Sequence, residues 1–148
     1  MMLFGISVVQ GRVRDTGNGD ALSRFGLQLI SIAVIGWIVS QGLNQVLAGN
    51  AREAAGAVYA VGQGIALTSA LVASLGFLSF SLGVSNRDDF NKPAACVVAI
   101  VSLVAMVFVI IGTSDSSQLE LTTAIVGIAY LVWTVWAIVL GLDLVKQE

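Results

Sequence analysis

The sequence predicts an all-α membrane protein, four antiparallel transmembrane helices in an up-down bundle with both termini cytoplasmic, and three observations lead there. Residues 25–51, 54–86, 93–114 and 121–142 contain no Asp, Glu, Lys or Arg, and each run supplies the roughly 20 residues a helix needs to cross about 30 Å of hydrocarbon. Charged residues make up 11% of the chain and hydrophobic ones 57%, whereas a soluble domain carries about 25% charged residues. The cations, finally, are divided unevenly between the two ends of the spans. Four crossings place the amino end, the middle loop and the carboxyl end together, and that side holds Arg12, Arg14, Arg24, Arg87, Lys92 and Lys146. The opposite side holds Arg52 alone. In loops this short the positive-inside rule makes the cation-rich side cytoplasmic, and a cytoplasmic (inner) membrane is the default location.

The spans are expected at about 22–48, 55–83, 93–112 and 119–142, within a single transmembrane domain covering 1–148. Before them, residues 1–20 read as a cytoplasmic arm. Its apolar start lacks a charged n-region and a small-residue cleavage site, so it is read as retained, not as a signal peptide. It is either a partly ordered tail or a segment that lies on the membrane surface or docks against a partner, with Arg12 and Arg14 near head groups. Asp20 can cap the first span, and Gly49 stands where that span would unwind. Asn91 ahead of Lys92 and Pro93 places proline in the first turn of the third span, where its missing N–H is harmless, and Gly112 can end that helix. Ser117 and Glu120 have the spacing of a capping box, which accounts for Glu120 without a catalytic role. Loops this short make successive helices antiparallel neighbours.

Within the second span Gly56, Ala60 and Gly64 recur every four residues, beside a parallel row of Gly62, Ala66, Ala70 and Ser74. Small residues at that spacing let helix backbones approach closely, which matters in lipid because burial of apolar surface gives no drive between helices. The first span offers Gly36, Ser40, Asn44 and Ala48, so pairing of spans one and two through these rows is the simplest arrangement. One row on span two could instead be spare and bind another subunit.

Polar residues gather in the outer half of the first span, at Gln41, Asn44 and Gln45, with Gln63 at a comparable depth in the second. An unpartnered amide in hydrocarbon costs a few kcal/mol. These four should therefore face other helices or water, either tying helices together or lining a shallow outward cavity for a solute. The tryptophans avoid the membrane interfaces where they usually gather. Trp37, Tyr130, Trp133 and Trp136 are then either core packing or the lining of a cavity for a lipid or quinone.

Chemistry is mostly excluded. The chain has no histidine, so histidine-ligated haem and an imidazole proton relay are impossible within it. No carboxylate lies deep in a span to couple protons. Lys92 and Lys146 sit at helix ends, and no CxxC, HExxH, GxSxG or P-loop pattern occurs. Serines 69, 74, 79, 81 and 102 have no neighbouring base in sequence to activate them, and the single Cys96 cannot form an internal disulfide. With a net charge of −2 and scattered cations, no nucleic-acid partner is expected. Neither a metal nor a cofactor is expected, and the partners are membrane lipids and other membrane subunits or copies of the chain itself. The reading is a non-enzymatic integral membrane subunit that packs into a homo-oligomer or larger complex. The alternatives are a homo-oligomeric channel or facilitator lined by Gln and Asn, and a lipid- or quinone-binding protein.

Overall fold

The computed structural model describes residues 2–17, 19–49, 55–87 and 90–145, all helix and turn. The sequence-predicted loop that holds Arg52, the acidic pair Asp88 and Asp89, and Lys146 lie outside the described residues. Five α-helices follow in order: α1 (Met2–Thr16), α2 (Asp20–Gly49), α3 (Ala55–Ser85), α4 (Lys92–Ser114) and α5 (Leu119–Val145). The last four are long and apolar enough to cross a membrane. Their outward faces carry bare aliphatic side chains, Ile38 being 66% and Leu131 64% exposed, a surface suited to lipid and costly in water. The chain is a multi-pass membrane protein.

The arm expected before the first span is instead helix α1, packed against α2 and α5. Ile6, Val9 and Val13, at helical spacing, are all buried in the same core as the spanning helices. Neither a loose tail nor a surface helix would bury them. Gly17 and Gly19 have φ of 76° and 82°, a left-handed backbone that glycine adopts at no steric cost, and they turn the chain from α1 into α2. Gln10 Nε2 then donates to Asp20 Oδ1 at 3.1 Å across the turn. At about 1.5 Å per residue α1 is roughly 22 Å long and α2 roughly 45 Å. Beside α2, α1 therefore runs only part of the way.

Arg87, counted from sequence only as a loop cation, is 7% exposed. Its Nη1 donates to the carbonyls of Arg12 at 3.1 Å and Val13 at 3.3 Å, and its guanidinium lies 5.7 Å from the Phe90 ring centroid. A cation at the carboxyl end of α1 matches the helix dipole and satisfies the Val13 carbonyl, whose helical donor Gly17 N turns instead to the Arg14 carbonyl at 3.1 Å. Arg87→Ala is expected to cost about 2 kcal/mol and to expose α1 selectively. Faster amide exchange over 6–13, with α3 and α4 unchanged, is the check.

Helices α2 and α3 make the closest pair, through a small-residue seam of period seven. Gly19, just before α2, and Gly26 and Ser40 on it meet Gly83, Gly76 and Gly62 of α3 in descending order, and Ala33, at the same spacing, is buried between them. A Cβ on Gly26 would stand 2.5 Å from Phe80 N and 2.6 Å from the Gly76 carbonyl oxygen. Further along, Ser40 Oγ donates to the Gly62 carbonyl at 2.9 Å. Thr122 Oγ1 of α5 likewise crosses to the Phe108 carbonyl of α4 at 3.0 Å, while other buried hydroxyls turn back on their own helices, as Ser74 does to the Ala70 carbonyl at 2.8 Å, and no described buried side-chain N or O lacks a partner. That is the condition for helices in lipid.

The centre is aromatic. Phe77 of α3 stacks on Trp133 of α5, with centroids 4.5 Å apart and planes 9° from parallel. Phe80 meets Trp136 edge to face at 5.9 Å. Trp133 Nε1 donates to Ser102 Oγ of α4 at 3.0 Å, tying a third helix to the same cluster.

Helix ends follow the expectations in part. Asn91 caps α4, its Oδ1 accepting from Ala94 N at 3.1 Å, with Pro93 in the first turn. Gly112 does not end α4, which continues to Ser114. Its hydrogen instead gives room to Thr122 of α5, against which a Cβ would collide. Before α5, a short 3-10 turn at Ser116–Gln118 intervenes, and the acceptor there is Asp115. Its Oδ1 takes the Ser117 N–H at 2.9 Å, and hydrogen bonds from the Ser117 hydroxyl and then its backbone hold the carboxyl below its ordinary pKa.

Candidate functional site

The most site-like feature exists because α1 stops short. Leu3, near the start of α1, lies beside Val34, Trp37 and Ile38 of α2. Beyond it, α2 and α5 flank a cleft of about 600 Å³ whose walls also include Gln41, Gly42, Gln45 and Tyr130. The helical period places Trp37, Gln41 and Gln45 in one row, a turn apart. From α5, Tyr130 meets Trp37 edge to face, centroids 5.5 Å apart and planes at 84°. Two amides, a phenol and an indole thus share a cavity with aliphatic walls. Among the described residues that line it there is no Asp, Glu, Lys or Arg.

The residues expected to act together are divided differently from the sequence reading. Of the four amides, Gln41 and Gln45 line this cleft. Asn44, expected on the same face, turns toward α3, where its Oδ1 lies 3.5 Å from the position of a Cβ on Gly62. Gln63 lines a separate cleft of about 510 Å³ with Tyr59, Glu120 and Thr123. The aromatic group divides as well: Trp37 and Tyr130 belong to the α2–α5 cleft, whereas Trp133 and Trp136, 0% and 5% exposed, are structural core.

The small residues show the same pattern. Gly36 packs against Ser69, and Ser40 and Gly62 join in the α2–α3 seam. Ala70 is buried and Ala66 half-buried, but Gly56, Ala60 and Gly64 face outward. Gly56 and Gly64 have nothing within 4 Å of a Cβ position among the described residues, so this row does not pack α3 against the other described helices. The side chain of Ala48 lies outside the described residues.

Among the described residues no group of three His, Cys, Asp or Glu side chains could hold a metal. Ser69, Ser74 and Ser102 donate to the carbonyls four residues earlier in their own helices, and Cys96 is exposed on the outer face of α4. Sequence reasoning missed the cleft because its two walls come from elements far apart in the chain, and its floor from the helix it did not foresee. The spacing Trp37, Gln41, Gln45 was the available signal.

Comparison with protein-family models, with characterised proteins and with solved structures returns no match for this chain. The functional reading therefore rests on its own residues.

Proposed function

We propose that the chain is a non-enzymatic membrane subunit that works by packing against copies of itself in a cytoplasmic membrane, its four spans alternating in direction, with the α1–α2 turn and the carboxyl end on the cytoplasmic side; the amino end, expected there from sequence, is instead carried by α1 to the depth of Trp37. The observation that carries this is the outward row of Gly56, Ala60 and Gly64. Gly64 borders an open groove of about 430 Å³ between α2 and α3, with Ile32, Val61 and Thr68 around it. Glycine gives acyl chains little to pack against, while it lets a second helix approach closely. Orientation is supported by the cation-rich end, where Arg87, just past α3, holds the carboxyl end of α1 beside Arg12 and Arg14, since cations of this kind favour the cytoplasmic side.

Gly64→Leu tests the reading. Open space at this position predicts an intact bundle with unchanged thermal unfolding, while particle mass in mild detergent falls from that of an oligomer to that of one chain. A wild-type protein that is already monomeric, or a variant that assembles as before, would contradict it. A pore lined jointly by Gln41, Asn44, Gln45 and Gln63 gains no support within one chain, because these amides lie on different faces and the bundle centre is filled by aromatic rings.

A further inference from the structure

We propose that the α2–α5 cleft is a binding site for an uncharged, ring-headed lipid carrying carbonyl oxygens, a molecule of the quinone class. This goes beyond assembly, which involves the groove over Gly64 between α2 and α3.

Size is the first argument. A cavity of about 600 Å³ falls within the roughly 300–1,000 Å³ of small-molecule sites, which combine apolar walls with a few polar groups. Access is the second: Ile38, on the rim, is 66% exposed, so the cleft opens sideways, toward the acyl chains from which a lipid would enter. The third is shape. Trp37 and Tyr130 stand nearly perpendicular and form a corner in which a flat ring can stack on one and meet the edge of the other.

Charge selects the head group. An anionic phosphate would need a cation, and none is among the described residues that line the cleft. The carboxamide N–H groups of Gln41 and Gln45 are donors suited to carbonyl oxygens. One helical turn apart, they can serve two acceptors on a single ring, while Leu3, Val34 and Ile38 receive the apolar tail.

The test uses the full chain in detergent with decyl-benzoquinone as probe, read by quenching of tryptophan emission. Saturable quenching is expected, and Trp37→Phe should remove most of the quenched component because Trp133 and Trp136 are buried. The double variant Gln41→Leu, Gln45→Leu should weaken binding about tenfold through the lost hydrogen bonds, with unchanged thermal unfolding because both side chains are exposed. Quenching that rises linearly without saturation would overturn the proposal. So would full quenching in Trp37→Phe, unchanged affinity in the double variant, or displacement of the probe by an equal concentration of phosphatidylglycerol. Since Gly64 lies outside the cleft, a Gly64→Leu protein that loses assembly but still binds the probe separates this site from the assembly face.

Discussion

Replacing Gly26 by leucine is expected to prevent the α2–α3 pair from forming, and with it a stable fold. The first added atom would already lie 2.5 Å from Phe80 N and 2.6 Å from the Gly76 carbonyl oxygen, so the obstruction is backbone and cannot move aside by a rotamer change. Ordinary overpacking against side chains costs about 1–3 kcal/mol; a clash with backbone on the most buried of the four spans should exceed that. Even Gly26→Ala should destabilise, although alanine favours a helix by about 1 kcal/mol over glycine. Size-exclusion profiles and thermal unfolding in detergent are the measurements. Gly26→Leu should be aggregated or absent, and Gly64→Leu, with open space at its Cβ, should elute as folded protein. Equal behaviour of the two variants would refute the seam.

The second large effect is expected at Trp133. Its ring is fully buried, stacked on Phe77 and hydrogen-bonded to Ser102, so Trp133→Ala leaves a cavity bordered by three helices. Truncations of this kind cost about 3–5 kcal/mol, and in lipid the lost packing contacts carry the association itself. Trp133→Phe keeps an aromatic ring beside Phe77 and gives up the indole N–H. It should cost about 1 kcal/mol, because Ser102 Oγ retains its own bond to the Val98 carbonyl at 2.7 Å. Reversible unfolding in mixed micelles would measure both. A Trp133→Ala protein as stable as Trp133→Phe would show that the stack contributes little.

Absence of charge over long runs made the four spans legible, because a charged side chain at mid-bilayer is costly whatever its neighbours. The expected span 93–112 and the observed α4 (Lys92–Ser114) differ by one residue at the start and two at the end. Helix α1 was hidden by its mixed composition: Gln10, Arg12 and Arg14 dilute its apolar character, although Ile6, Val9 and Val13 already marked one helical face. The packing rows show a subtler difficulty. Steps of four residues advance about 40° beyond a full turn, so a row such as Gly56, Ala60, Gly64 winds away from any single neighbour. Steps of seven drift only about 20°, and the seam of Gly19, Gly26, Ala33 and Ser40 stays on α3. For the amides, residue type indicated that they need company, but which neighbour each meets depends on how the helices are arranged in space. Trp37 and Tyr130 lie 93 positions apart in sequence, and no local pattern relates them.

Two claims matter most: that α1 packs one face into the bundle along α2 and α5, and that the Arg87 end faces the cell interior. Single cysteines in a Cys96→Ser background, probed with a membrane-impermeant maleimide, test both directly. Ser117→Cys should react on intact cells, Asn86→Cys only after the membrane is opened, and Val9→Cys in neither case until the protein is denatured. Reaction of Asn86→Cys from outside intact cells would reverse the orientation, and ready reaction of Val9→Cys in the native protein would remove α1 from the bundle.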